Sequence, residues 1–123
     1  MKQEDKDLLL KDLCARLPYG VKGVEANTIC SLNTVTHFKS IVKNIEYKIE
    51  HLGFKPYLFP LSSMTEEQRI EYDYLNSIIF SCFEDGLCEA LAKLQDWLNK
   101  YQFDYRGLIP MGLALDATGL NIY

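Results

Sequence analysis

Residues Val35 to Leu52 read VTHFKSIVKNIEYKIEHL, and the folding of this stretch decides the architecture around it. Two periods run through the same residues. Asn44-Ile45-Glu46-Tyr47-Lys48-Ile49-Glu50 alternates polar and apolar at every step, which suits a strand with one face on a core. Leu32, Thr34, Thr36 and Phe38 alternate in the same way. Phe38, Ile41, Val42, Ile45, Ile49 and Leu52 fit instead one face of a helix stopped by Gly53. The surrounding segment from Val21 to Phe54 is rich in β-branched residues, among them Val24, Thr28, Ile29, Val35 and Thr36. Such side chains lose less on a pleated surface than in a helix, so the strand reading is favoured. The expectation is a small antiparallel sheet of about three strands within residues 21–54.

Toward the N-terminus the pattern is plainly helical. Leu9, Leu10, Leu13, Cys14 and Leu17 recur at helical spacing, with Lys6, Asp7, Lys11, Asp12 and Arg16 on the other face. Pro18 disfavours helix in the residue before it, and Tyr19-Gly20 completes the stop. Toward the C-terminus, Lys55-Pro56-Tyr57-Leu58-Phe59-Pro60-Leu61 reads as an extended connection, because its two prolines fix the backbone. Two overlapping capping boxes follow, Ser63 with Glu66 and Thr65 with Gln68, and predict a helix from Glu66 to about Ser77. Ile78 to Phe83 either continues it or forms a short strand, and Glu84-Asp85-Gly86 breaks it. A second helix runs from about Leu87 to Lys100, with Leu87, Leu91, Leu94, Leu98 and Tyr101 as its apolar stripe. Phe103-Asp104-Tyr105-Arg106-Gly107 then turns into an apolar run, Leu108 to Leu115, that docks on the core. The fold class is α+β, organised as a single domain over residues 1–123.

Composition narrows the function classes. The chain has 123 residues, 48% of them hydrophobic and 24% charged, which is enough to bury a core without metal or disulfide. A net charge of −4 and dispersed Lys and Arg lack the electrostatic footprint of a nucleic-acid binder. The longest apolar stretch is far shorter than the ~20 residues a membrane helix needs, and the charged start is unlike a secretory leader. A cytoplasmic location is expected. There Cys14, Cys30, Cys82 and Cys88 stay reduced, and their spacing, without a paired CxxC, disfavours zinc. No cofactor is implied: phosphate-loop glycine patterns and the GxSxG elbow are absent from the sequence.

Candidate chemistry is sparse. Cys30 and His37 form a nucleophile–base pair only if the fold joins them. The acidic pairs Glu66-Glu67 and Glu84-Asp85 have local roles at a helix start and a turn. The aromatic content is more informative. Tyr57, Tyr105 and Arg106 are read as loop residues of the types that dominate protein–protein contacts. In Asp104-Tyr105-Arg106-Gly107 a type I turn explains Asp104 and Gly107, with Arg106 paired to Asp104 or Asp96. Partner binding through Tyr57, Tyr105 and Arg106 is the leading expectation, with another protein as partner and a homo-oligomer compatible with it. An enzyme site around Asp104, Tyr105 and Arg106 is the alternative.

Three stretches carry a resemblance: LLLKDLCARLPYGV (Leu8 to Val21), KPYLFPLSSMTEEQ (Lys55 to Gln68) and DWLNKYQFDYRGLIPMGLALDA (Asp96 to Ala117), about two fifths of the chain. They resemble a group of small uncharacterised proteins encoded by Bacteroides-type gut bacteria and by their phages and integrated elements. The resemblance implies a bacterial or phage cytoplasmic protein with an accessory or host-modulating role. It brings no activity, cofactor or catalytic residue with it.

Overall fold

The contested stretch is a helix. In the computed structural model, which describes residues 2–25, 27–32, 41–81 and 84–123, α2 runs over Ile41–His51. Ile45 and Ile49 are buried while Tyr47 between them is exposed, a spacing only a helix produces. The amides of Leu52 and Phe54 both return to the Lys48 carbonyl, at 3.2 and 3.1 Å. Gly53, at φ +61°, supplies the left-handed turn that ends the helix. The strand expected over Asn44–Glu50 is thereby corrected. The alternating positions Thr34, Thr36 and Phe38 lie outside the described residues, as does His37 of the proposed Cys30–His37 pair.

The other elements follow in chain order: α1 (Gln3–Arg16), β1 (Lys22–Glu25), β2 (Thr28–Ser31), then α2, β3 (Lys55–Leu58), α3 (Glu66–Ser81), α4 (Glu84–Lys100) and β4 (Leu115–Asp116). The fold is α+β, with four described strands where the sequence suggested about three. Their order is β2-β1-β3-β4. β1 pairs antiparallel with β2 and β3, whereas β4 lies parallel to β3, so the sheet is mixed. The proline-flanked connection is itself a strand. Pro56 faces Gly23 in a pairing only two residues long, where one missing N–H costs little. Gly23 is required there: a Cβ would strike the Lys55 carbonyl oxygen and the Phe54 ring.

α3 begins at Glu66 and α4 ends at Lys100 as the sequence predicts, while the junction between them differs. Thr65 and Gln68 close their box in both directions, at 2.9 and 3.2 Å, but the Ser63 hydroxyl donates to the Pro60 carbonyl instead. α3 continues through Ile78–Ser81. Glu84, Asp85 and Gly86 do not break a helix but open α4.

Two hydrophobic clusters result. The larger joins Leu9 and Leu13 of α1, Ile45 and Ile49 of α2, Val21, Leu32, Phe54 and Leu58 around the sheet, and Leu108, Leu113 and Ala114 of the docked C-terminal run. The smaller joins Trp97, Leu98 and Phe103, with Phe59, Tyr72, Leu75 and Tyr105 packed against it. Trp97 stacks on Phe103 with ring centroids 5.7 Å apart. Leu91 on α4 and Tyr101 just beyond it fall outside the buried stripe and are exposed. Among the described residues, no helix is long and apolar enough to cross a membrane.

Candidate functional site

The corner at residues 104–107 is built around buried charge. Asp104 is buried, and its two carboxylate oxygens accept the amides of Leu108 (2.8 Å) and Ile109 (2.9 Å). The carboxylate thus closes the turn four and five residues on, and Gly107 takes φ +76° to allow it. Arg106 pairs with neither Asp96 nor Asp104. Its Nε donates to Oδ1 of Asp12, 94 residues away, at 3.1 Å. Asp12 and Arg16, read as part of the polar face of α1, are fully buried. Arg16 donates to Asp12 through Nε (2.8 Å) and Nη2 (3.2 Å), and through Nη2 to the Phe103 carbonyl. Two guanidiniums thus share one carboxylate, which offsets the cost of removing all three charges from water.

Tyr105 completes this arrangement. The guanidinium carbons of Arg106 and Arg16 lie 4.9 and 5.3 Å from its ring centre, within cation–π range. Its hydroxyl donates to Asn99 Oδ1 at 2.9 Å and accepts from Arg106 Nη2 at 3.2 Å. The sequence reading took Tyr105 and Arg106 as loop residues for partner contact. Both are partly buried instead, and only 14% of the Arg106 side chain is exposed. Tyr57 lies on β3 rather than in a loop, paired with Leu115, and its carbonyl accepts the Tyr123 hydroxyl at 2.7 Å. The corner therefore brings together Asp104, Tyr105 and Arg106, while Tyr57 serves the sheet.

Next to this corner lies a cleft of about 390 Å³, walled by Tyr19, Phe59, Tyr101, Phe103 and Tyr123, with Lys100 at its edge. Gln102 also lines it, 97% buried, with φ +60°. A left-handed backbone costs a non-glycine residue about 1–2 kcal/mol. It is held by two backbone bonds, Gln102 N–H to the Asn99 carbonyl (3.1 Å) and Phe59 N–H to the Gln102 carbonyl (2.8 Å). Gln102 Nε2 donates to the Gly20 carbonyl at 3.1 Å, but Oε1 has no partner among the described residues. The Tyr123 hydroxyl accepts from the Lys22 amide, and burial pushes its phenol up to about 12.

Sequence reasoning missed this cleft. One signal for it was present: α4 ends at Lys100-Tyr101-Gln102 with no glycine or asparagine to take the left-handed position. Cys14 and Cys30 are free thiols. Cys30 donates to Glu25 Oε2 at 3.4 Å, and burial, then that carboxylate, raises its pKa, which disfavours the nucleophilic thiolate. Burial does the same at Cys14. The chain matches no family profile, no curated protein and no solved structure.

Proposed function

We propose that the chain acts by binding another protein, and that the outer face of α3 is the contact surface. One observation carries this reading. α3 is sixteen residues long, yet none of its described side chains is buried. Ile70, Tyr74 and Phe80 are instead 65, 64 and 89% exposed. Helices are stabilised chiefly by burying an apolar face, and one that leaves such residues in water has a face to offer a partner. The surface differs from the one the sequence suggested, because Tyr105 and Arg106 are engaged with Asp12, Arg16 and Asn99. That engagement gives the corner a structural role and leaves it little polar capacity for catalysis. With the resemblance, the proposed setting is a bacterial or phage-infected cytoplasm, and the role an accessory one.

The test places a photo-crosslinking residue at Tyr74 and, as a control, at the exposed Met111. A discrete adduct is expected from position 74 alone. Ile70→Glu and Phe80→Glu should abolish it while leaving the circular dichroism spectrum unchanged. An adduct that survives both substitutions, or forms equally from position 111, would overturn the assignment of this face.

A further inference from the structure

The cleft beside the corner has two polar handles of different kinds. Its hydroxyl and amide rim is largely committed: Thr65 and Gln68 bond each other, Ser63 bonds the Pro60 carbonyl, and the Tyr123 hydroxyl bonds the β1 and β3 backbone. Lys100 is not committed. Its ammonium lies 5.5 Å from the Tyr101 ring centre and has no carboxylate partner among the described residues. Among the described residues no Asp or Glu lines the cleft, and Lys100 is its charged group.

The second handle is Gln102 Oε1. Its identity is fixed by chemistry, because only the NH2 end of the amide can donate to the Gly20 carbonyl. The unpaired atom is therefore an acceptor, and it calls for an N–H or O–H. It sits in the wall, beyond the reach of water. Tyr19, 38% exposed, lines the same cleft. Between the handles the walls are rings, and the volume suits a small molecule.

From these features we infer that the cleft binds a small planar aromatic anion: a one- or two-ring carboxylate that also carries an N–H or O–H donor. The ring packs among Phe59, Phe103 and Tyr101, the carboxylate meets Lys100, and Tyr19 swings aside so that the donor meets Gln102 Oε1. This site is separate from the outer face of α3, and its failure would leave that proposal standing.

Indoleacetate is the probe, followed by two-dimensional amide NMR on the full chain. Saturable shifts are expected at the Gln102 side-chain amide and at the backbone of residues 100–103. Two comparators leave the protein unchanged, so folding does not enter. The N-methyl derivative lacks the donor, and methylindole lacks the carboxylate. Each is expected to bind about tenfold more weakly, the loss of one hydrogen bond to a charged or buried group. Lys100→Met, at an exposed position, should reproduce the loss of affinity for indoleacetate and leave methylindole unaffected. No saturable shift at millimolar probe would overturn the inference. So would equal binding of all three compounds, which marks an unselective apolar groove.

Discussion

The two hydrophobic clusters are built on different terms. The larger is aliphatic apart from Phe54, lies between α1, α2 and the sheet, and has no unpaired polar atom among its buried members. The smaller is rich in aromatic rings, only three of its described members are buried, and it holds the indole N–H of Trp97, unpaired among the described residues. Beside it Gln102 keeps an unpaired carbonyl oxygen and a left-handed backbone. The Asp12–Arg16–Arg106 cluster is the seam between them, since Leu13 belongs to one side and Tyr105 to the other. A third unpaired atom, Arg16 Nη1, lies in that seam. The contrast separates two tasks: the aliphatic side supplies stability, while the aromatic side accepts strain and unmet hydrogen bonds beside an open cleft.

The largest effect is expected at the seam. Asp12→Ala leaves Arg16 charged and buried, which should cost about 3–5 kcal/mol of unfolding free energy in urea denaturation. A loss under about 1 kcal/mol would show the seam to be as solvated as a surface ion pair. Next comes a paired measurement across the clusters. Leu13→Ala, at a fully buried site, should cost about 2–5 kcal/mol. Gln102→Gly should change stability by no more than about 1 kcal/mol, because relief of the left-handed backbone offsets the bond lost to Gly20. Equal losses would erase the distinction between the two sides.

The smallest effect is at Tyr123. Its phenol is raised from 10.0 to about 12, mainly by burial, so the folded chain keeps this proton to higher pH than the unfolded chain. Its contribution is complete below pH 10 and is lost as pH rises toward about 12. Ionisation also removes the proton donated to the Tyr57 carbonyl. In urea midpoints at stepped pH, Tyr123→Phe should lose less stability than the parent between those values. Parallel profiles would refute the assignment.

Much of the helical framework was legible. The α1 stripe, the Thr65–Gln68 box and the run of α4 all follow from local chemistry. The helix at Ile41–His51 was not, because its residues satisfy both periods and tertiary contacts decide between them. Lys48 pairs with Glu25 at 3.1 Å, and Glu50 with Lys6 at 3.8 Å, each fixing α2 in place from outside its own sequence. β3 was hidden by its proline, and β4 is two residues long and pairs parallel with a distant segment. At the corner, Asp104 and Gly107 could be read as a turn, but nothing local pointed to Asp12. An acid and a base four apart on a polar helix face look like an exposed pair until a third charge arrives from the other end of the chain.

That distance governs when the molecule can finish folding. Asp12 emerges from the ribosome 94 residues before Arg106, and Arg16 precedes the Phe103 carbonyl by 87. At roughly 5–20 residues per second, the first helix waits about 5–20 s for the groups that complete its charge cluster. Throughout that interval water holds Asp12 and Arg16 better than an unfinished interior can. The helix α1 is thus made early and sealed late, and closure of the aliphatic core awaits Leu108, Leu113 and Ala114.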